Sequence, residues 1–116
     1  MPTDPYFRRA KVQRVIDGDT IDLVIDLGWD IRMKERVRLI GVDAPEVRGA
    51  ERPRGLEVKS RVVIWCAAQE HNVWLHSRDY KSGKYGRTLG MIYSDDQSEC
   101  LNDLVLAWSN ETEGSG

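Results

Sequence analysis

Three segments of this chain carry acids and arginines of the kinds that work on a phosphate. They are Val15 to Thr20, reading V-I-D-G-D-T; Arg38 to Glu46, reading R-L-I-G-V-D-A-P-E; and Lys84 to Gly90, reading K-Y-G-R-T-L-G. Carboxylates hold a hard divalent cation through oxygen. Guanidinium forks such as those of Arg38 and Arg87 hold a phosphate. A fold that joined the three segments would surround one phosphate with a cation and two arginines, the equipment for phosphodiester cleavage.

Taken singly, these residues read more plainly. Asp-Gly is a common hairpin turn, so Asp17 and Asp19 alone would be turn residues. Arg38 alternates with Arg36 and alone would be a solvated strand face. Glu46 and Arg87 alone would be surface charges. Arg38 shares strand parity with Ile40 and Val42, however, so its side is not simply solvent, and it is the co-occurrence in one chain that favours a site. Arg48, Arg52 and Arg54 make Val47 to Gly55 a charged, solvated loop, with phosphate contact as the competing role. Cys66 and Cys100 lack metal-ligand spacing, and His71 and His76 stand in different local contexts. Oxygen ligands without Cys or His disfavour zinc.

The elements that must position these residues follow from periodicity. Ala10, Val12 and Ile16 predict a strand over 10–16, and Asp17-Gly18-Asp19 a tight turn into a second strand through Ile21, Leu23 and Ile25. Gly28 breaks that strand. A third strand is expected over 36–43, ended by Pro45. Gly55 to Gln69 reads as a helix with Leu56, Val63 and Cys66 or Ala67 on one face and a largely buried stretch from Val62 to Ala68. Strands are expected at 73–76 and 88–93, and a short helix at Leu101 to Trp108. Composition alone supports a small α+β or all-β domain. The order of elements points further, to an α+β, mainly β fold: a five-stranded OB-fold Greek-key barrel with a helix between strands 3 and 4 and a short C-terminal helix. One domain spans 1–116, with its core at 8–109 and a frayed tail over 110–116. Trp65, Trp74 and Trp108 read as core, and Trp29 as the exposed aromatic.

Net charge is −2, with 41% hydrophobic and 31% charged residues. That balance fits a globular protein and counts against a tight, metal-free nucleic-acid binder, which is usually basic. It counts less against a metal-dependent enzyme, whose ligand carboxylates enter the sum as negative. No apolar run approaches the length of a membrane span, and Met1 to Lys11 holds no apolar signal core. The expectation is a monomer with no membrane partner, and a cytoplasmic location is favoured.

The three segments resemble the signature blocks of the staphylococcal nuclease family, in the same order and at similar spacing, and the likeness runs from about Lys11 to Trp108. The resemblance implies calcium-dependent hydrolysis of DNA and RNA to 3′-phosphate ends. It makes Asp19 and Asp43 the metal carboxylates and Ala44 a ligand through its backbone carbonyl, where the family often has threonine. It makes Glu46 the general base, Arg38 and Arg87 the phosphate-binding arginines, and Lys84 and Tyr85 contacts to the nucleotide. The cofactor it implies is Ca²⁺; the residues themselves fit Mg²⁺ or another divalent ion equally. The chain ends soon after Trp108, where longer members continue into a further helix. Two other functions are weighed against the nuclease: a catalytically weak or inactive nucleic-acid-binding module of the same fold, and a phosphodiesterase acting on nucleotides rather than polymers.

Overall fold

The computed structural model describes residues 6–82 and 87–114. Strands β1 (Phe7–Asp17), β2 (Thr20–Asp26) and β3 (Arg32–Leu39) form a meander. A 3₁₀ turn (Gly49–Glu51) leads into helix α1 (Arg52–Ala68), followed by β4 (Asn72–Ser82), β5 (Arg87–Tyr93) and helix α2 (Leu101–Gly114). The strands close into a barrel in the order β1-β2-β3-β5-β4. Only the β3–β5 pair is parallel, because α1 and β4 lie between them in sequence and carry the chain across the barrel. This is the expected five-stranded barrel with a helix between β3 and β4.

Alternation explains the interior. Ile21, Leu23, Val37, Leu39, Val73, Leu75 and Ile92 point inward, and α1 and α2 close the core with Val58, Val62, Leu101 and Val105. Fully burying one such side chain contributes about 1.5–3 kcal/mol. Trp65 is buried and its indole N–H donates to Glu99 at 3.1 Å, while Trp108 packs half-buried against the core. Trp74 stacks on Phe7 at 5.3 Å between ring centroids. Cys66 and Cys100 are both free thiols, and burial pushes the Cys66 thiol up to about 12.

Five expectations need correction. The third strand spans Arg32–Leu39, not 36–43. It ends early because Gly41 takes a left-handed φ of 77°, which turns Val42 and Asp43 into a loop. The segment 47–55, expected as a loop, is mostly helical, and Arg52 and Arg54 sit on the first turn of α1. The buried line of α1 is Gly55, Val58, Val62, Trp65 and Cys66, whereas Leu56, Val63 and Ile64 are exposed. The chain expected to fray from Asn110 continues α2 to Gly114, with Glu111 paired to Arg61 of α1 at 3.1 Å. Strand β4 also runs six residues beyond the expected His76: β1 pairs with it only as far as His76, and its polar half is held by the ladder to β5 rather than by apolar pattern.

Among the described residues, no helix is long and apolar enough to cross a membrane.

Candidate active site

Pairing of β1, β2 and β3 brings the first two segments together. Thr20, the first residue of β2, stands opposite Arg38 near the end of β3. The backbone N–H of Leu39 donates to the carbonyl of Asp19 at 2.8 Å, locking the β1–β2 turn to the strand that carries the arginine. The loop after β3 then folds back over the same turn, and the N–H of Ala44 donates to Asp19 Oδ2 at 3.1 Å.

Asp19 is therefore held from three sides. Thr20 Oγ1 donates to its Oδ1 at 2.9 Å, Ala44 N and Arg38 Nη2 (3.4 Å) to its Oδ2. Its side chain is only 11% exposed, whereas that of Asp43 is 96% exposed. Hydrogen bonds to a charged group contribute roughly 1.5–3 kcal/mol each, so the Asp19 carboxylate is rigid and pre-aimed. Asp43 approaches Arg38 Nη2 at 3.3 Å in the open, a contact worth little by itself. Arg38 Nη2 also donates to the Val42 carbonyl at 3.1 Å, so one nitrogen ties together two carboxylates and the loop between them.

Asp17, Asp19, Thr20, Arg38, Asp43, Ala44 and Glu46 line one cavity of 180 Å³. Four carboxylates and one guanidinium meet there. A second cavity, of 340 Å³, shares Arg38 and Asp43 and continues over Ile40, Gly41, Val42 and Leu89. Apart from Arg38 and Asp43 its lining is apolar or backbone.

Glu46 is exposed at the rim, and α1 fixes its backbone. A Cβ on Gly55 would overlap the Glu46 carbonyl carbon and oxygen and would lie 2.9 Å from the Pro45 carbonyl oxygen. Arg52 Nη1 donates to the Val47 carbonyl at 3.2 Å. The same helix presses Val58 against Gly18, where a Cβ would meet Val58 Cγ1 at 2.7 Å and Ala44 Cβ at 3.0 Å. Gly18 is thus glycine for lack of space. Ala44 takes part in this packing, with its methyl set against Gly18.

Arg87 opens β5, one step before Thr88, which pairs with Val37 beside Arg38. Its backbone thus stands on the strand joined to the arginine strand. Lys84 and Tyr85 lie outside the described residues. The structure therefore gathers Asp19, Arg38, Asp43, Ala44 and Glu46 at one pocket and brings the Arg87 backbone to the neighbouring strand.

Two contributors escaped sequence reading. Asn102, buried at the start of α2, donates through Nδ2 to the carbonyls of Ile40 (2.9 Å) and Gly90 (3.1 Å) and accepts the Ile92 N–H (3.1 Å). It ties the root of the Asp43 loop to β5 and α2. Glu35 is the one acid of β3 and points into the barrel, where Thr88 Oγ1 donates to it at 3.0 Å.

The donor set fits a hard divalent cation. Asp19 and Asp43 with the Ala44 carbonyl would supply oxygen only, and water and substrate would fill the remaining positions. Among the described residues no group of three or more His, Cys, Asp and Glu side chains gathers tightly enough to cage an ion alone. The protein's share of the ligands is therefore small.

A closed five-stranded barrel of OB type, with a carboxylate and arginine pocket at one mouth, is the class that fold and site define. The chain belongs to the family of staphylococcal nuclease homologues, whose model matches residues 36–111. That span contains Arg38, Asp43, Glu46 and Arg87. Protein ParB of Escherichia coli is 36% identical over 85 residues, 73% of this chain and 41% of that protein. The micrococcal nuclease of Shigella flexneri is 37% identical over 86 residues, 74% of this chain and 42% of its own length. The thermonuclease of Staphylococcus intermedius is 38% identical over 98 residues, 82% and 54% of the two chains. The chain thus spans about half the length of the curated relatives it matches.

Proposed function

We propose that this chain is a divalent-cation-dependent endonuclease, using calcium, that hydrolyses phosphodiester bonds of DNA or RNA and leaves 3′-phosphate ends. The observation that carries the reading is the single pocket shared by Asp19, Arg38, Asp43 and Glu46. Relatives named micrococcal nuclease and thermonuclease support it.

Each residue has a task in this reading. Asp19 and Asp43, with the Ala44 carbonyl, would hold the cation, which when bound offsets phosphate charge. Glu46 takes a proton from the attacking water, whose oxygen bonds to phosphorus. Its carbonyl is pinned by α1, so the carboxylate swings from a fixed base. Arg38 leaves its carboxylate contacts, 3.3 and 3.4 Å long, to hold the phosphate as charge builds on its oxygens. Arg87 supplies the second guanidinium from β5. The bond from phosphorus to the 5′-oxygen breaks, and that oxygen takes up a proton as it leaves. Lys84 and Tyr85 contact the nucleotide, Tyr85 by stacking or by its hydroxyl.

Incubation with denatured DNA, RNA and plasmid in calcium, magnesium or chelator tests this. The expected result is cleavage with calcium, none with chelator, and products whose 3′ ends become extendable only after phosphatase treatment. Binding of nucleic acid without cleavage under every metal would replace the enzyme by the inactive module.

A further inference from the structure

We infer that the outer face of β3 is a track for single-stranded nucleic acid, running from Arg38 at the pocket to Trp29 at the far tip of the barrel. The inference rests on the nuclease reading and adds where the rest of the strand lies.

The first observation is the segregation of charge along β3. Its outward positions are Arg32, Lys34, Arg36 and Arg38, each a cation. Alternate residues of a strand are about 6.6 Å apart, so the row is about 20 Å long. The acid of the strand, Glu35, is turned into the barrel, an expensive place for a carboxylate that Thr88 makes tolerable. Across the ladder β2 sets Asp22 opposite Arg36, Asp26 opposite Arg32 and the uncharged Val24 opposite Lys34. Arg36 is anchored by Asp22 at 2.8 and 3.2 Å and remains half-exposed, fixed on the face rather than withdrawn from it.

Neighbouring strands extend the row. Val24 of β2 pairs with Lys34 on one side and Lys11 of β1 on the other, so two lysines flank an uncharged residue. A cavity of 530 Å³, larger than either at the pocket, opens here and is lined by Arg9, Lys11, Val24, Asp26 and Arg32 among others. It lies at the opposite end of β2 from Asp19 and so has no part in bond cleavage.

The tip supplies an aromatic. Trp29 is 95% exposed, with the left-handed φ of 57° that bulky side chains avoid, and Asp30 follows at 60°. Asp26 Oδ1 accepts the Gly28 N–H at 2.8 Å and the Ile31 N–H donates to the Gly28 carbonyl at 2.8 Å, so the turn that offers the indole is ordered. A row of cations ending in an exposed indole matches a polyanion that carries flat bases: phosphates lie along the row and a base stacks on Trp29. A duplex would cover its base faces, so the single strand is the form this surface selects.

The test is fluorescence anisotropy with a labelled thymidylate dodecamer, in chelator to prevent cleavage, over a salt series. Wild type is compared with Trp29→Ala and with the double variant Arg32→Gln, Lys34→Gln, all checked for folding by circular dichroism. Trp29→Ala should weaken binding about tenfold. The double variant should reduce the slope of log affinity against log salt by about 1.4, the share of two cations on a single strand. With calcium, the ratio of kcat/KM for the dodecamer over that for a dinucleotide should fall in both variants. Folded variants with wild-type affinity and salt slope would overturn the track and leave the nuclease standing. An anisotropy change as predicted, with no cleavage under any metal, would uphold the track and sink the nuclease.

Discussion

Gly55 of α1 lies so close to Glu46 that no side chain fits between them. The helix therefore does more than close the core: its first turns set the position of the residue assigned as base, and Val58, one turn on, sets the Asp17–Asp19 turn against Ala44. Both halves of the pocket are referenced to one rigid element.

Gly55→Ala tests that relationship. The added methyl must push the Glu46 loop outward, because its neighbours are backbone atoms that cannot rotate away. Overpacking of this kind costs about 1–3 kcal/mol. Thermal unfolding should show that loss, and kcat should fall further than KM rises. A variant with wild-type kcat would show that the Glu46 backbone is placed by something else.

Arg38 carries two roles, one in turnover and one in stability. Arg38→Ala should lower kcat about 100- to 1,000-fold, as for loss of one preorganised donor. Without metal it should also lower the melting temperature, since Asp19 and Asp43 lose their shared cation. Added calcium should restore more of the melting temperature in this variant than in wild type. Thermal melts with and without chelator read this directly.

Asn102→Ala takes this partner from the Ile92 N–H and the Ile40 carbonyl, while the Gly90 carbonyl keeps the Ile40 N–H at 3.0 Å. Each orphaned group costs roughly 1–3 kcal/mol, and denaturant unfolding should show a loss of about 3 kcal/mol or more. Asn102→Asp keeps the acceptor and loses both donor bonds, so it should not rescue stability.

Cys66 gives a pH prediction. Burial raises its thiol from 9.0 to about 12, so the native state favours the neutral form. The associated stability is fully present below pH 9 and is lost as pH rises toward 12. At pH 8 a disulfide reagent should leave Cys66 unmodified in the folded protein and modify it on unfolding. Prompt reaction of Cys66 at pH 8, resolved by peptide mapping, would contradict its burial.

The parts legible in sequence were those written in short contiguous runs. D-G-D-T, R-L-I-G-V-D-A-P-E and the alternation around Ile21 and Leu23 each carry their own signal, so the barrel and the pocket residues could be read before any coordinates. What stayed hidden depends on partners distant in the chain. The start of β3 at Arg32 is masked because Glu35 occupies an inward position where alternation calls for an apolar residue. The face expected for α1 includes Leu56 and Val63, which are exposed, because these two and Ile64 make the outer side of the helix apolar too. Gly18 reads as a turn residue, and only the approach of Val58 shows that it is glycine for space. Nothing local in the sequence marks Asn102, whose hydrogen bonds reach residues up to 62 positions away.

The most direct test of the central claim is a calorimetric titration of calcium into the protein, with and without a nucleoside 3′,5′-bisphosphate, for wild type and Asp19→Asn. The pocket described here predicts that wild type binds the ion, that the bisphosphate tightens this binding, and that Asp19→Asn loses both effects while remaining folded. Calcium binding of equal strength in Asp19→Asn, or binding indifferent to the bisphosphate, would contradict a cation and phosphate site built on Asp19, Asp43 and Arg38.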